Sequence, residues 1–351
     1  MNAVALRERR AELREADRPP ETRGLARDHV LLMAAYRETG VLEHAHFTEL
    51  PDLLAPGDVL VLNTSRTLPA ALPARDGSGA RAMLHLSTPA PDGGTTAARS
   101  RWIVELRSPE GGRRRGHAGQ RLELPAGGRA KLLAPYLAGR LWVAQLDAPA
   151  PLLEYLDDHG RPIRYRHLAD DPPLSDLQNV YAREPGSAEM PSAGRPFTPE
   201  LITALVARGV DVAPLVLHTG VSSLERGERP YPERFEVPAF TAARVNLARE
   251  LGGRVVAVGT TVVRALESAA GEGGRIHPSG GWTDLVISAE RPVRSVDGVL
   301  TGFHDSDSSH LELLAAIAGR RLLREAYAAA RANGYMRHEF GDVLLVLPAR
   351  A

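Results

Sequence analysis

The sequence has no cysteine among its 351 residues and a single lysine, Lys131. The first absence excludes disulfides, thiolate metal sites and a cysteine nucleophile, and it suits a reducing compartment. The second confines Schiff-base chemistry to one position. No apolar run approaches the roughly 20 residues a membrane helix needs. The first residues, "MNAVALRERRAELREADRPP", are charged and lack the apolar centre of a signal peptide, so a cytoplasmic monomer with no membrane partner is the expectation. Formal net charge is +0 with a pI near 7.3, which gives no global pull towards nucleic acid. Any RNA contact would need a local basic patch. Also missing are GxGxxG after the first strand, GxxxxGK[ST] and HExxH. The segment "DDHGRPIRYRHLADD" carries His and Asp at no common metal spacing, and the chain is read as metal-independent.

What is present is ordinary in bulk and informative in order. Hydrophobic residues make up 43% and charged residues 25%, the balance of a globular protein long enough for two domains. "DVLVLNTSRTLPAAL" reads as a buried strand running into a polar loop. Between Ala71 and about Ala148 come short strand-like runs, "RAMLHL", "RWIVELR", "RLEL", "RAKLLAPY" and "RLWVAQLD", separated by Gly, Pro and Asp. Such spacing suggests a small antiparallel barrel or sandwich. From Pro151 onward helices alternate with strands, including "TPELITALVARGV" with Thr198 as its cap, and a long helix "HLELLAAIAGRRLLREAYAAARANG". The expected fold is therefore α/β: a barrel-like main domain of residues 1–70 and 151–351, interrupted by an antiparallel β-barrel at 71–150. The Arg113 to Arg115 loop is the single basic concentration, a solvated loop or a phosphate contact.

Polar residues collect at four strand ends: Asn63 to Arg66, His218 to Gly220, Gly259 to Thr261, and His304. In α/β folds, binding residues gather beyond the carboxyl ends of strands, because a rigid sheet holds the loops there. "VVAVGTTVVRALESAA" reads as strand, turn and helix with a Ser/Thr-type cap, and puts Thr260, Arg264 and Glu267 on one stripe. The start of that helix favours an anion. His218 or His304 could serve as a general base, since imidazole titrates near neutral pH.

These residues resemble the S-adenosylmethionine:tRNA ribosyltransferase-isomerases of queuosine biosynthesis. The likeness runs from about Arg23 to the C-terminus through "GDVLVLNTSRTLPA", "LQNVYAREPGSAEMPSAGRPFT", "LVLHTG", "VAVGTTVVRALES", "WTDLVI", "GFHDSDSSHLELL" and "YMRHEFGDVLLV". The resemblance implies S-adenosylmethionine as co-substrate, tRNA as partner, and transfer of the ribosyl group to the aminomethyl group of a 7-deazaguanine base. Rearrangement to an epoxycyclopentane then accompanies loss of adenine and methionine. On this expectation Gly259, Thr260 and Thr261 hold a carboxylate or ribose hydroxyl, Arg264 pairs with an anion and Glu267 orients it. Tyr181 and Phe197 would stack on adenine, with Asn63, Arg66, His218, Gly220, Asp284 and His304 around the reacting centre.

The chain departs from that family in the same motifs. Asn63-Thr64-Ser65-Arg66 replaces Asn-Asp-Thr-Arg, Arg195-Pro196 replaces Leu-His, and Pro230-Tyr231 replaces Met-His before Glu233. Ala71 replaces Arg, Ser222-Ser223-Leu224 replaces Gly-Thr-Phe, and Asp305-Ser306-Asp307 replaces Leu-Pro-Lys. That last exchange trades one positive charge for two negative ones beside a phosphate backbone. A different, small-molecule acceptor and a non-catalytic S-adenosylmethionine-binding protein remain open as alternatives.

Overall fold

The computed structural model describes residues 13–91, 99–136, 139–221, 231–288, 290–304 and 309–349. The departures at Ser222 to Leu224, Pro230 and Asp305 to Asp307 lie outside them. After a two-residue strand, Arg14–Glu15, come β1 (Leu31–Tyr36), β2 (Leu42–His46) and β3 (Val59–Asn63). Every residue of β3 is buried, as an unbroken apolar run in a sheet covered on both faces requires. Six strands follow, β4 (Ala71–Asp76), β5 (Arg81–Pro89), β6 (Arg99–Arg107), β7 (Arg121–Glu123), β8 (Arg129–Tyr136) and β9 (Leu141–Asp147). They close into an antiparallel barrel in the order β8-β9-β6-β5-β4-β7. Leu72, Leu84, Val104, Leu132 and Ala144 fill its interior, with alternate positions facing out.

After the barrel come an eight-residue helix, Leu152–His159, then helix α1 (Pro199–Ala207), β10 (Asp211–Leu217), β11 (Glu233–Val237), α2 (Ala239–Glu250), β12 (Val255–Val258), α3 (Thr260–Ala269), β13 (Ser279–Thr283) and β14 (Gly298–Gly302). Helices α4 (Ser309–Ala318) and α5 (Arg320–Ala332) precede the last strand, β15 (Val343–Leu347). The expected cap of α1 is present: Thr198 accepts from the Leu201 N–H at 3.1 Å. The expected long helix is two, because Gly319 at φ 81 turns the backbone into the left-handed region between them.

The main sheet has nine strands in the order β13-β11-β10-β3-β12-β14-β15-β1-β2. Strands β10, β3, β12 and β14 are mutually parallel. Their carboxyl ends, at Leu217, Asn63, Val258 and Gly302, therefore share one edge of the sheet. Core residues pack both faces, with Val263 and Leu266 of α3 fully buried on one side and Phe197 and Leu205 on the other. Each buried Val or Leu contributes about 1.5–3 kcal/mol, so helices on both faces hold that edge rigid.

Candidate active site

A cleft of about 1990 Å³ opens at this edge. Barrel residues His85, Glu105 and Arg107 form one bank, and Gly259, Thr260, Thr261 and His304 the other. Gly259 makes the α3 turn possible. It sits at φ 93, donates its N–H to the Leu300 carbonyl at 2.8 Å, and passes close to Ala193. It also takes the cap position expected of a threonine, making Thr260 the first helical residue. Being glycine, the cap residue offers no side-chain bond to the backbone N–H groups at the start of α3. The helix start thus faces the cleft with the N–H polarity that attracts an anion.

Behind this turn lies a dense hydrogen-bond network. Asn63, 1% exposed, donates to the Leu217 carbonyl at 2.8 Å and to Thr261 Oγ1 at 3.4 Å. Its own oxygen accepts from the N–H groups of Ser65 and Leu217. Ser65 Oγ meets Ser187 Oγ at 2.6 Å and His218 Nδ1 at 2.7 Å. Burial, aided by Arg234, pushes His218 down to about 4. Thr219, the next residue, reaches the cleft and hydrogen-bonds the Glu189 carbonyl.

At the far side of the turn, His304 and His310 stack with centroids 4.4 Å apart and planes at 9°. Thr260 Oγ1 lies 3.0 Å from His310 Nδ1, and Thr301 Oγ1 lies 3.1 Å from His304 Nε2. Burial first, then Arg264, holds His310 at about 4. Burial, His310 and His338 hold His304 well below its ordinary value. Both rings are neutral near pH 7 and line the cleft.

Residues 11–346 match the family described as queuosine biosynthesis protein. The chain belongs to the queuosine biosynthesis family. It is 38% identical to the S-adenosylmethionine:tRNA ribosyltransferase-isomerase of Moorella thermoacetica, over 95% of this chain and 96% of that one. The enzyme of the same name from a Methylobacterium species is 39% identical over 95% and 94% of the two chains. A crystal structure of S-adenosylmethionine tRNA ribosyltransferase from Thermotoga maritima aligns with a TM-score of 0.52 at 31% identity, covering 96% of this chain and 99% of that chain.

Several expected roles change once the contacts are seen. Glu267 does not orient Arg264; it accepts from the N–H groups of Arg294 and Ser295, both at 2.6 Å, and so clamps a loop. The partner of Arg264 is Glu233, while the Leu285 and Thr283 carbonyls take its other donors at 3.1 Å. With its donors so engaged, Arg264 is a structural tie. Glu233 in turn accepts from the Gly220 N–H at 2.9 Å, fastening the loop after β10 to α3.

Phe197 is fully buried against Phe47, with centroids 5.1 Å apart, and has no face for adenine. Tyr181 packs on Phe197 at 5.9 Å, and burial drives its hydroxyl pKa upward. Neither ring lines the cleft, nor do Arg66 and the exposed Asp284. Ser65 lay within the expected polar strand end, whereas Ser187, Glu233 and His310 were given no role; each meets its partner only through folding.

Two departures from the family have structural partners. Arg195, 1% exposed, reaches Glu21 at 2.9 Å and lies over the Phe340 ring. Tyr231 joins Ser87 of the barrel to the Val221 carbonyl, at 2.7 and 2.8 Å. In the basic loop, Arg114 is tied to Asp76, while Arg113 and Arg115 are exposed.

Proposed function

We propose that this chain transfers and isomerises the ribosyl moiety of S-adenosylmethionine onto a 7-aminomethyl-7-deazaguanine base in tRNA, releasing adenine and methionine. Family membership supports the reading, and one observation of the structure carries it: parallel strand ends bring Gly259, Thr260, Thr261 and His304 to a single cleft. The start of α3 would receive the methionine carboxylate. Sulfonium charge acidifies the neighbouring 5′ carbon, and a neutral imidazole of the His304 and His310 pair would take that proton. Cleft hydrogen bonds to the purine would assist departure of adenine. His218, Asn63 and Gly220 act as positioning residues behind the turn.

We further take residues 71–150 as an inserted domain and the enzyme as a cytoplasmic monomer, which size-exclusion chromatography would check for assembly state. The deciding experiment incubates the protein with S-adenosylmethionine and tRNA carrying the deazaguanine precursor. Adenine and methionine should appear in step with the modified base. Adenine release that ignores tRNA but needs a small molecule from cell extract would instead favour the altered-acceptor alternative.

A further inference from the structure

The corner of the cleft beside the His304 and His310 pair holds groups to which the proposed reaction assigns no role. His167 comes from the loop that follows the barrel, and His338 and Glu339 from the turn before β15; all three line the cleft. One ligand atom from each lies within 4.8 Å of the others. Nε2 of His167 and Oε2 of Glu339 stand 3.0 Å apart, on side chains only 10% and 19% exposed. Both atoms are buried, and apart from this ion-pair contact with each other neither has a hydrogen-bond partner.

Leaving buried polar atoms in this state costs about 1–3 kcal/mol each unless something else engages them. A shared ion accounts for the geometry. Two bonds of about 2.0–2.1 Å meeting at a tetrahedral angle put the ligand atoms roughly 3.3 Å apart, close to the separation observed. The ring of His338 stacks on His167 with centroids 4.3 Å apart, from a backbone held left-handed at φ 74. Positive φ is uncommon for a non-glycine residue, although histidine adopts it more readily than most. Behind His338, Oε1 of Glu15 lies 3.5 Å from Nε2. A carboxylate in that place orients metal-binding imidazoles.

We propose that His167, His338 and Glu339 form a site for a divalent transition-metal ion of the zinc type. Two imidazoles and one carboxylate suit zinc and its neighbours better than calcium or magnesium, which take oxygen ligands. The His338 ring would have to turn out of its stack on His167 to bring a nitrogen to coordination distance. Three protein ligands leave a fourth position for water or a substrate oxygen on the cleft side. The site is independent of the acceptor's identity.

Purified full-length protein, stripped with chelator, loaded with zinc and dialysed against metal-free buffer, should retain one ion per chain. Cobalt loading should give the visible bands of a low-symmetry site. His167→Ala and Glu339→Gln should each weaken zinc binding at least tenfold, while replacing the exposed His277 changes nothing. No retained ion, or equal affinity in the variants, overturns the proposal. Should His167→Ala fail to fold, X-ray absorption of the zinc-loaded native protein decides: imidazole scattering near 2.0 Å supports the site, and its absence sinks it. Metal retention without adenine release would refute the ribosyl-transfer reading alone.

Discussion

Two neighbouring regions, the network behind the cleft at α3 and the corner by His338, are built on opposite principles. Around α3, Asn63, Ser65, Ser187, Arg264 and Glu267 all have bonded partners. In the corner by His338, the buried His167 Nε2 and Glu339 Oε2 meet at ion-pair distance with no hydrogen bond to any other group. Satisfied polar networks rigidify a backbone, whereas orphaned ones mark places waiting for another molecule. The difference separates positioning from binding within a single hollow, and it reassigns Arg264 from ligand contact to scaffold.

Mutations in each region should therefore read out differently. The largest effect belongs to Arg264→Ala, which strands Glu233, a side chain 13% exposed. Breaking such a pair costs about 3–5 kcal/mol, measurable by urea denaturation, and Arg264→Lys should rescue little because it cannot also reach both carbonyls. Gly220→Ala comes next. Its new methyl would collide with Tyr231 and Ser87, so a loss of about 1–3 kcal/mol is expected in the same assay.

His218→Gln should cost about 0.5–1.5 kcal/mol at pH 7 through the Ser65 contact. Its sharper signature lies in acid. In the native protein His218 stays neutral down to about 4 while the unfolded chain takes up a proton near 6.5. Stability is thus intact above pH 6.5 and is lost as pH falls towards 4. His85, also held near 4, contributes in the same direction, so the variant should reduce this slope without abolishing it. The smallest effect is Glu339→Gln in metal-free protein. It loses only the ion-pair contact with His167, so it should shift stability by less than about 1 kcal/mol.

Much of this was legible in the residues. Buried runs such as Val59 to Leu62 and Val255 to Val258, each ending in polar residues, announce parallel strands with a functional edge, and Gly259 to Thr261 and His304 do reach the cleft. Less legible was direction. A helical stripe places Arg264 and Glu267 together, but β11 and the loop at Arg294, distant in sequence, decide what each touches. Phe197 beside a cap looked free to stack, and only Phe47 and Tyr181 reveal it as core. His167 and His338 escaped every spacing rule because their meeting is made by tertiary structure.

The sole lysine offers a practical consequence. Lys131 is exposed on β8, so it is the one side-chain amine to which a reactive dye can couple. With the α-amino group blocked, a fluorophore there would mark the barrel alone. Energy transfer to a second label engineered on the nine-stranded sheet would then report whether the two banks approach each other when substrate arrives.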